Sequence, residues 1–186
     1  FSNKVFHHFE KIKFLDKRKS VHSGNPVRKN ILFKENSQYL VPGAWPTTIL
    51  VLGGSQGATL LSNIIPKALS QLSNVIKKRI TVFHQARTED LKAVKLSYFK
   101  IGVKANVDLF FENVEQIISE AQLIISRAGA NTLTDISVIG RPVILIPLSV
   151  AKDDHQSMNA EIFEKNEAAI SIQENEISPK NLSFII

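Results

Sequence analysis

The 186 residues contain no cysteine, which excludes disulfides, thiolate metal sites and cysteine nucleophiles at once. No apolar run approaches the roughly 20 residues a spanning helix needs, and no signal-peptide pattern opens the chain. A cytosolic location is expected, with peripheral membrane association left open. The five histidines (His7, His8, His22, His84 and His155) show no ligand spacing, so no metal is expected. The single tryptophan, Trp45, lies in a proline-rich loop and reads as a packing anchor rather than a stacking platform. Acidic residues are the minority, 17 against 23 Lys and Arg, for a formal net charge of +6. Much of that charge comes early, in Lys4, Lys11, Lys13, Lys17, Arg18 and Lys19. Such a run suits anionic lipid or nucleic acid, but a solvated basic face explains it more simply, and no nucleic-acid partner is expected.

What is present is an ordinary globular composition, 44% hydrophobic and 22% charged, long enough for one domain with a substantial core. The chain does not open on Met and ends on the apolar Phe184-Ile185-Ile186, so it is expected to be a piece of something longer. Residues 1–20 mix aromatic and basic side chains without a clean period and are expected to form a partly helical connector from a preceding domain. A single domain is expected to occupy residues 21–186. Within it, Ser20 to Ser23 suggests a short strand, and 34–47 a loop. Thr48–Leu52, Ile80–His84, Ala105–Phe111, Leu123–Ile125, Val143–Ile146 and Ala168–Ile172 read as strands. Helices are expected after Gly57, over Glu89–Phe99, from Val114, from Asn131 or Thr132 to Ile139, from Asp153-Asp154, and from Ser178-Pro179. This alternation predicts an α/β fold, a parallel sheet with helices on both faces.

Ligands of such sheets bind at the carboxyl ends of the strands. Arg28, Ser55, Phe111, Ala130 to Asp135 and Gln156 all fall just beyond those ends. Helix N-termini aimed at that rim favour an anion, so a phosphate-bearing ligand is the first inference.

The loop Gly53-Gly54-Ser55-Gln56-Gly57-Ala58 admits several readings. As a dinucleotide fingerprint its glycines are wrongly spaced, and the next strand ends His84-Gln85 where an acid should hold a ribose. As a nucleophile elbow, Gly53-x-Ser55-x-Gly57 is followed by Asp135 and His155 in hydrolase order. Yet at most one strand precedes it, and no oxyanion segment exists. A phosphate-cradling glycine loop explains most with least, while glycines serving a tight turn alone remain the structural alternative. Asp135, one turn into its helix, has the position to accept both hydroxyls of a ribose, or simply to complement the helix dipole. Asp153 and Asp154 read as caps rather than metal ligands.

Taken together, Gly24-Asn25-Pro26-Val27-Arg28, the Gly53–Ala58 loop, Arg127-Ala128-Gly129-Ala130 with Thr132, and His155-Gln156 with Asn159-Ala160 resemble the MurG family. The resemblance runs from about Ser23 onward. It implies the donor-binding, Rossmann-like half of a GT-B glycosyltransferase, which moves N-acetylglucosamine from UDP-N-acetylglucosamine to the lipid-linked muramyl-pentapeptide of peptidoglycan synthesis. It further implies peripheral attachment at the cytoplasmic face of the bacterial inner membrane. By the same resemblance Arg28, Ser55 and Gln156 bind the donor and Phe111 meets the uracil through backbone. Asp135 grips the ribose, Asn159 lies near the sugar hydroxyls, and Gln56, Ala130, Asn131 and Thr132 complete the donor site. Asp135 is one methylene shorter than the family's usual Glu. No cofactor is implied. The acceptor loop and base of the family belong to a preceding domain, so this chain alone is expected not to catalyse. A stand-alone nucleotide-sugar-binding subunit, or a serine hydrolase, are the competing readings.

Overall fold

The computed structural model describes residues 3–7, 16–32, 46–148 and 155–186, and for residues 55–58 the backbone alone. Strands β1 (Val5–His7) and β2 (Ser20–His22) form a small parallel pair, with Val5 opposite Ser20 and His7 opposite His22. A strand at Val5–His7 corrects the expected partly helical connector there. It pairs with β2, and the His7 ring nitrogen reaches the Ser20 hydroxyl at 2.5 Å. The rest of that connector, residues 8–15, lies outside the described residues, as do most of the expected 34–47 loop, Trp45, Asp153 and Asp154. A short helix α1 (Lys29–Leu32), absent from the sequence reading, follows the Gly24–Arg28 segment.

The body is a six-stranded, wholly parallel sheet: β3 (Thr47–Leu52), β4 (Ile80–Gln85), β5 (Lys104–Asp108), β6 (Leu123–Ser126), β7 (Val143–Leu145) and β8 (Ala169–Ser171). Their spatial order is β5-β4-β3-β6-β7-β8, the doubly wound order that reverses direction between β3 and β6. Connecting them are α2 (Gly54–Ser70), α3 (Asn74–Lys77), α4 (Leu91–Ile101), α5 (Val114–Glu120), α6 (Ala130–Ile139), α7 (His155–Lys165) and α8 (Pro179–Ile185). The four-residue α3 was not foreseen; Ser73 caps it by accepting from the Ile76 N–H.

The central strand explains the layering. Ile49, Leu50 and Val51 are all fully buried, because alternate side chains enter cores on opposite faces. Ile49 and Val51 pack with Leu61, Ile65 and Leu69 of α2 and Tyr98 of α4. Leu50 packs with Ile118 of α5, Leu133 and Ile136 of α6, and Ala160 of α7. Several expected boundaries move, and the largest correction is at α2, which starts at Gly54 inside the expected Gly53–Ala58 loop and so makes most of that loop the helix's first turn. Strand β5 stops at Asp108, three residues short of Phe111, because the Asp108 carboxylate accepts the Leu109 N–H and turns the chain. Helix α4 starts at Leu91, with Asp90 as its N-cap residue and the Asp90 carboxylate accepting from Thr59 Oγ1.

Candidate functional site

The site begins at the point where the strand order reverses. Leu52 and Ser126 lie side by side at the carboxyl ends of β3 and β6, and each strand runs straight into a helix, α2 and α6. Both helices start from a glycine N-cap, Gly53 and Gly129. This corrects the expected capping of α6 by Asn131 or Thr132, which instead fall within its first turn. A glycine carries no side chain to cap with, so the first-turn N–H groups stay open to an incoming anion. Gly54 sits at φ +62°, where a side chain would be strained, with nothing within 4 Å of the place a Cβ would occupy. Ser55 and Gln56 belong to the first turn of α2.

Beside these termini is a cavity of about 150 Å³ lined by Arg28, Leu52, Gly54, Gln85, Phe110, Phe111, Thr132 and Asp135, with Val114 and Ile118 at its floor. Three segments remote in sequence therefore bring together Arg28, Phe111, Thr132 and Asp135, four of the positions expected to converge. The Arg28 guanidinium forms an ion pair with the Asp135 carboxylate. That carboxylate is 8% exposed, whereas Arg28 is 53% exposed, so the acid is fixed in the wall and the cation stands at the mouth. Asn25 secures the same segment to α6, its amide donating to Asn131 Oδ1 and Thr134 Oγ1. Phe111 is held edge-on against Phe83, ring centroids 5.8 Å apart. Ala130 begins α6, and its carbonyl accepts from the Thr134 hydroxyl. A larger cavity of about 670 Å³ opens at the amino ends of β6, β7 and β8, but its lining is mostly apolar and includes none of these residues.

Gln156 and Asn159 act one strand further along. The Gln156 carbonyl oxygen accepts the Leu148 N–H at 3.1 Å, which leaves its amide hydrogens as the end directed elsewhere. Asn159 is buried and donates to the Ala128 carbonyl at 2.8 Å, with its own carbonyl oxygen buried and unpartnered. It braces the loop beneath α6. Two residues that the sequence reading named carry roles it did not assign. Gln85 lines the cavity and donates to the Leu109 carbonyl; its place at the end of β4 was the available signal. Arg127 is buried, donates to the Ile146 and Pro147 carbonyls and pairs with Glu174 at 2.5 Å, tying together the carboxyl ends of β6, β7 and β8.

The model of the glycosyltransferase family 28 C-terminal domain matches residues 48–185. The chain belongs to that family. The likeness to MurG read from the loop motifs is borne out by its relatives. A UDP-N-acetylglucosamine–N-acetylmuramyl-(pentapeptide) pyrophosphoryl-undecaprenol N-acetylglucosamine transferase of Paramagnetospirillum magneticum is 40% identical over 166 residues, covering 89% of this chain and 45% of that protein. The enzyme of the same name from Agrobacterium fabrum is 42% identical over 169 residues, covering 90% and 45%. Among solved structures, Acinetobacter baumannii MurG superposes with a TM-score of 0.76 at 29% identity, over 99% of this chain and 51% of that one. The chain thus spans about half the length of the curated relatives it matches. Membership of family 28 removes the dinucleotide and hydrolase readings of the Gly53–Ala58 loop.

Proposed function

We propose that this family 28 domain binds UDP-N-acetylglucosamine at the β3–β6 rim and is the donor half of an inverting transferase. The acceptor is the lipid-linked muramyl-pentapeptide of peptidoglycan synthesis, presented by a second domain. The observation that carries the reading is the cavity wall itself: a buried carboxylate faces a mobile-length cation beside two glycine-capped helix N-termini. A volume of about 150 Å³ suits a base or a pentose rather than a whole nucleotide sugar, so the ribose enters beside Asp135 and the diphosphate lies across the helix ends. Asp135 accepts from the ribose hydroxyls, Thr132 and Ser55 stand beside the diphosphate, and Gln156 turns its amide hydrogens to the sugar.

In the reaction the acceptor hydroxyl attacks the anomeric carbon on the face opposite the diphosphate. A base on the acceptor domain removes its proton, the glycosidic bond to phosphate breaks, and UDP leaves. Negative charge grows on the departing diphosphate, and the fixed N–H groups of α2 and α6 stabilise it without reorganising. The Ser55 hydroxyl is a further donor in this reading, and losing one donor typically costs on the order of 3 kcal/mol in the transition state. Ser55→Ala is therefore expected to weaken UDP binding by calorimetry and, in a two-domain enzyme, to lower kcat. Unchanged affinity together with unchanged kinetics would remove Ser55 from the mechanism.

A further inference from the structure

Arg28 stands on a stretch with little regular structure of its own. Strand β2 ends at His22, Gly24 turns the chain at φ +71°, and α1 does not begin until Lys29. Among the described residues, two contacts flank Arg28 and tie this stretch to the body of the domain. Three residues after it, Ile31 is fully buried in the core shared by α5, α6 and α7, with Val27 packed partly against the same core. Three residues before it, the Asn25 amide donates to Asn131 Oδ1 at 3.1 Å and to Thr134 Oγ1 at 2.8 Å. The two contacts differ in kind. Burial of Ile31 is non-directional and leaves the stretch able to pivot. The Asn25 contact is directional, because its two acceptors lie three residues apart and so are neighbours on one side of α6. The Thr134 hydroxyl gives its own hydrogen to the Ala130 carbonyl, so toward Asn25 it can only accept.

We propose that Asn25 is a positioning residue of the donor site: clamped to α6 through Asn131 and Thr134, it holds the Arg28 guanidinium over the place of the diphosphate. This role presupposes the donor site proposed above. A long side chain that is 53% exposed loses less freedom on binding when its backbone root is already fixed. Asn25 fixes that root against the same helix whose N-terminus faces the anion. The Asp135 pair engages Arg28 Nη2, and the guanidinium fork carries further N–H donors for a phosphate. A turn-forming role alone, the ordinary use of Asn beside glycine and proline, would not need two partners on α6.

The test is calorimetry of this chain with UDP at low and high salt. Asn25→Ala should weaken UDP about ten-fold and Arg28→Ala about twenty-fold. The double variant should bind no more weakly than Arg28→Ala alone, since both changes remove the same contact with the diphosphate. Asn25→Ala should also flatten the salt dependence of UDP affinity as Arg28→Ala does, although it removes no charge. A side chain with a structural role alone would leave that dependence as it is in the parent. Thr134 lies outside the cavity lining, so Thr134→Val, which keeps the shape and removes the hydroxyl, reaches the ligand only through Asn25. It should weaken UDP about three-fold, and Thr134→Ser should restore the parent affinity. Undiminished affinity in Asn25→Ala, or losses that add in the double variant, with Arg28→Ala impaired, would overturn the positioning role and leave the donor site standing. Should Asn25→Ala fail to fold, Thr134→Val decides, and unchanged affinity there would overturn the role. Unimpaired binding by Arg28→Ala would overturn it as well, and failure of the parent to bind UDP would overturn both the role and the donor site.

Discussion

His84 is fully buried on β4, its Nδ1 2.8 Å from the Tyr98 hydroxyl and its Nε2 without a partner. Burial disfavours the imidazolium and lowers its pKa from 6.5 to about 4. Between those values the unfolded chain binds a proton that the folded chain refuses. Stability contributed by neutral His84 is therefore complete above pH 6.5, falls as pH drops toward 4, and is spent below it. The difference amounts to about 3 kcal/mol across that window. Urea unfolding at pH 7 and pH 4.5 should show a smaller drop in His84→Gln than in the parent; equal drops would contradict it. Nothing in the sequence marks this histidine as buried beyond its position in a β-branched run. Glu167 is likewise invisible to sequence reading. It holds φ +54° after α7, where the Ala168 N–H reaches back to the Phe163 carbonyl and its own N–H to Glu164. That is the position where glycine usually ends a helix. Glu167→Gly should stabilise the fold by about 1 kcal/mol in thermal or urea unfolding, and a loss of stability would show that the Glu167 side chain outweighs its backbone strain.

At the scale of elements, the helix ends divide into those the sequence marks and those it does not. Ser178 and Pro179 announce α8, and the structure has the reciprocal cap between Ser178 and Asn181. Gly140 announces the end of α6, at φ +73°. The start of α6 misleads, because Asn131 and Thr132 are good caps by residue type while Gly129 takes the position. Asn131 is spent on Asn25 and Thr132 lines the cavity, so residues suited to capping serve the site. Arg127 was read as part of a motif but not as a tie between strands, because its partners come from the loop after β7 and from the loop after β8, beyond any local pattern. Glu174→Gln should cost roughly 3 kcal/mol, since it removes a counter-charge from a buried guanidinium. Urea unfolding measures that loss; a change below about 0.5 kcal/mol would mean that the other partners of Arg127 suffice.

For the whole molecule, the alternation of apolar runs with helical segments was enough to give a parallel sheet with both faces covered, because parallel strands buried on two faces leave a continuous apolar signature. Elements of three or four residues, such as β1, α1 and α3, are too short to leave one. The convergence of Arg28, Phe111, Thr132 and Asp135 followed from topology, since each lies just past a strand and a doubly wound sheet gathers such positions at its reversal point. The ion pair between Arg28 and Asp135 did not follow, because it depends on how a segment 107 residues away folds across α6. The most direct test of the donor site is calorimetry of this chain with UDP-N-acetylglucosamine, UDP-glucose and NAD, repeated with Asp135→Asn. The parent should bind both UDP-sugars, with the N-acetylated one tighter, and leave NAD unbound, while the variant should lose about ten-fold or more for each UDP-sugar. Equal affinity for NAD, or undiminished binding by the variant, would contradict the site described.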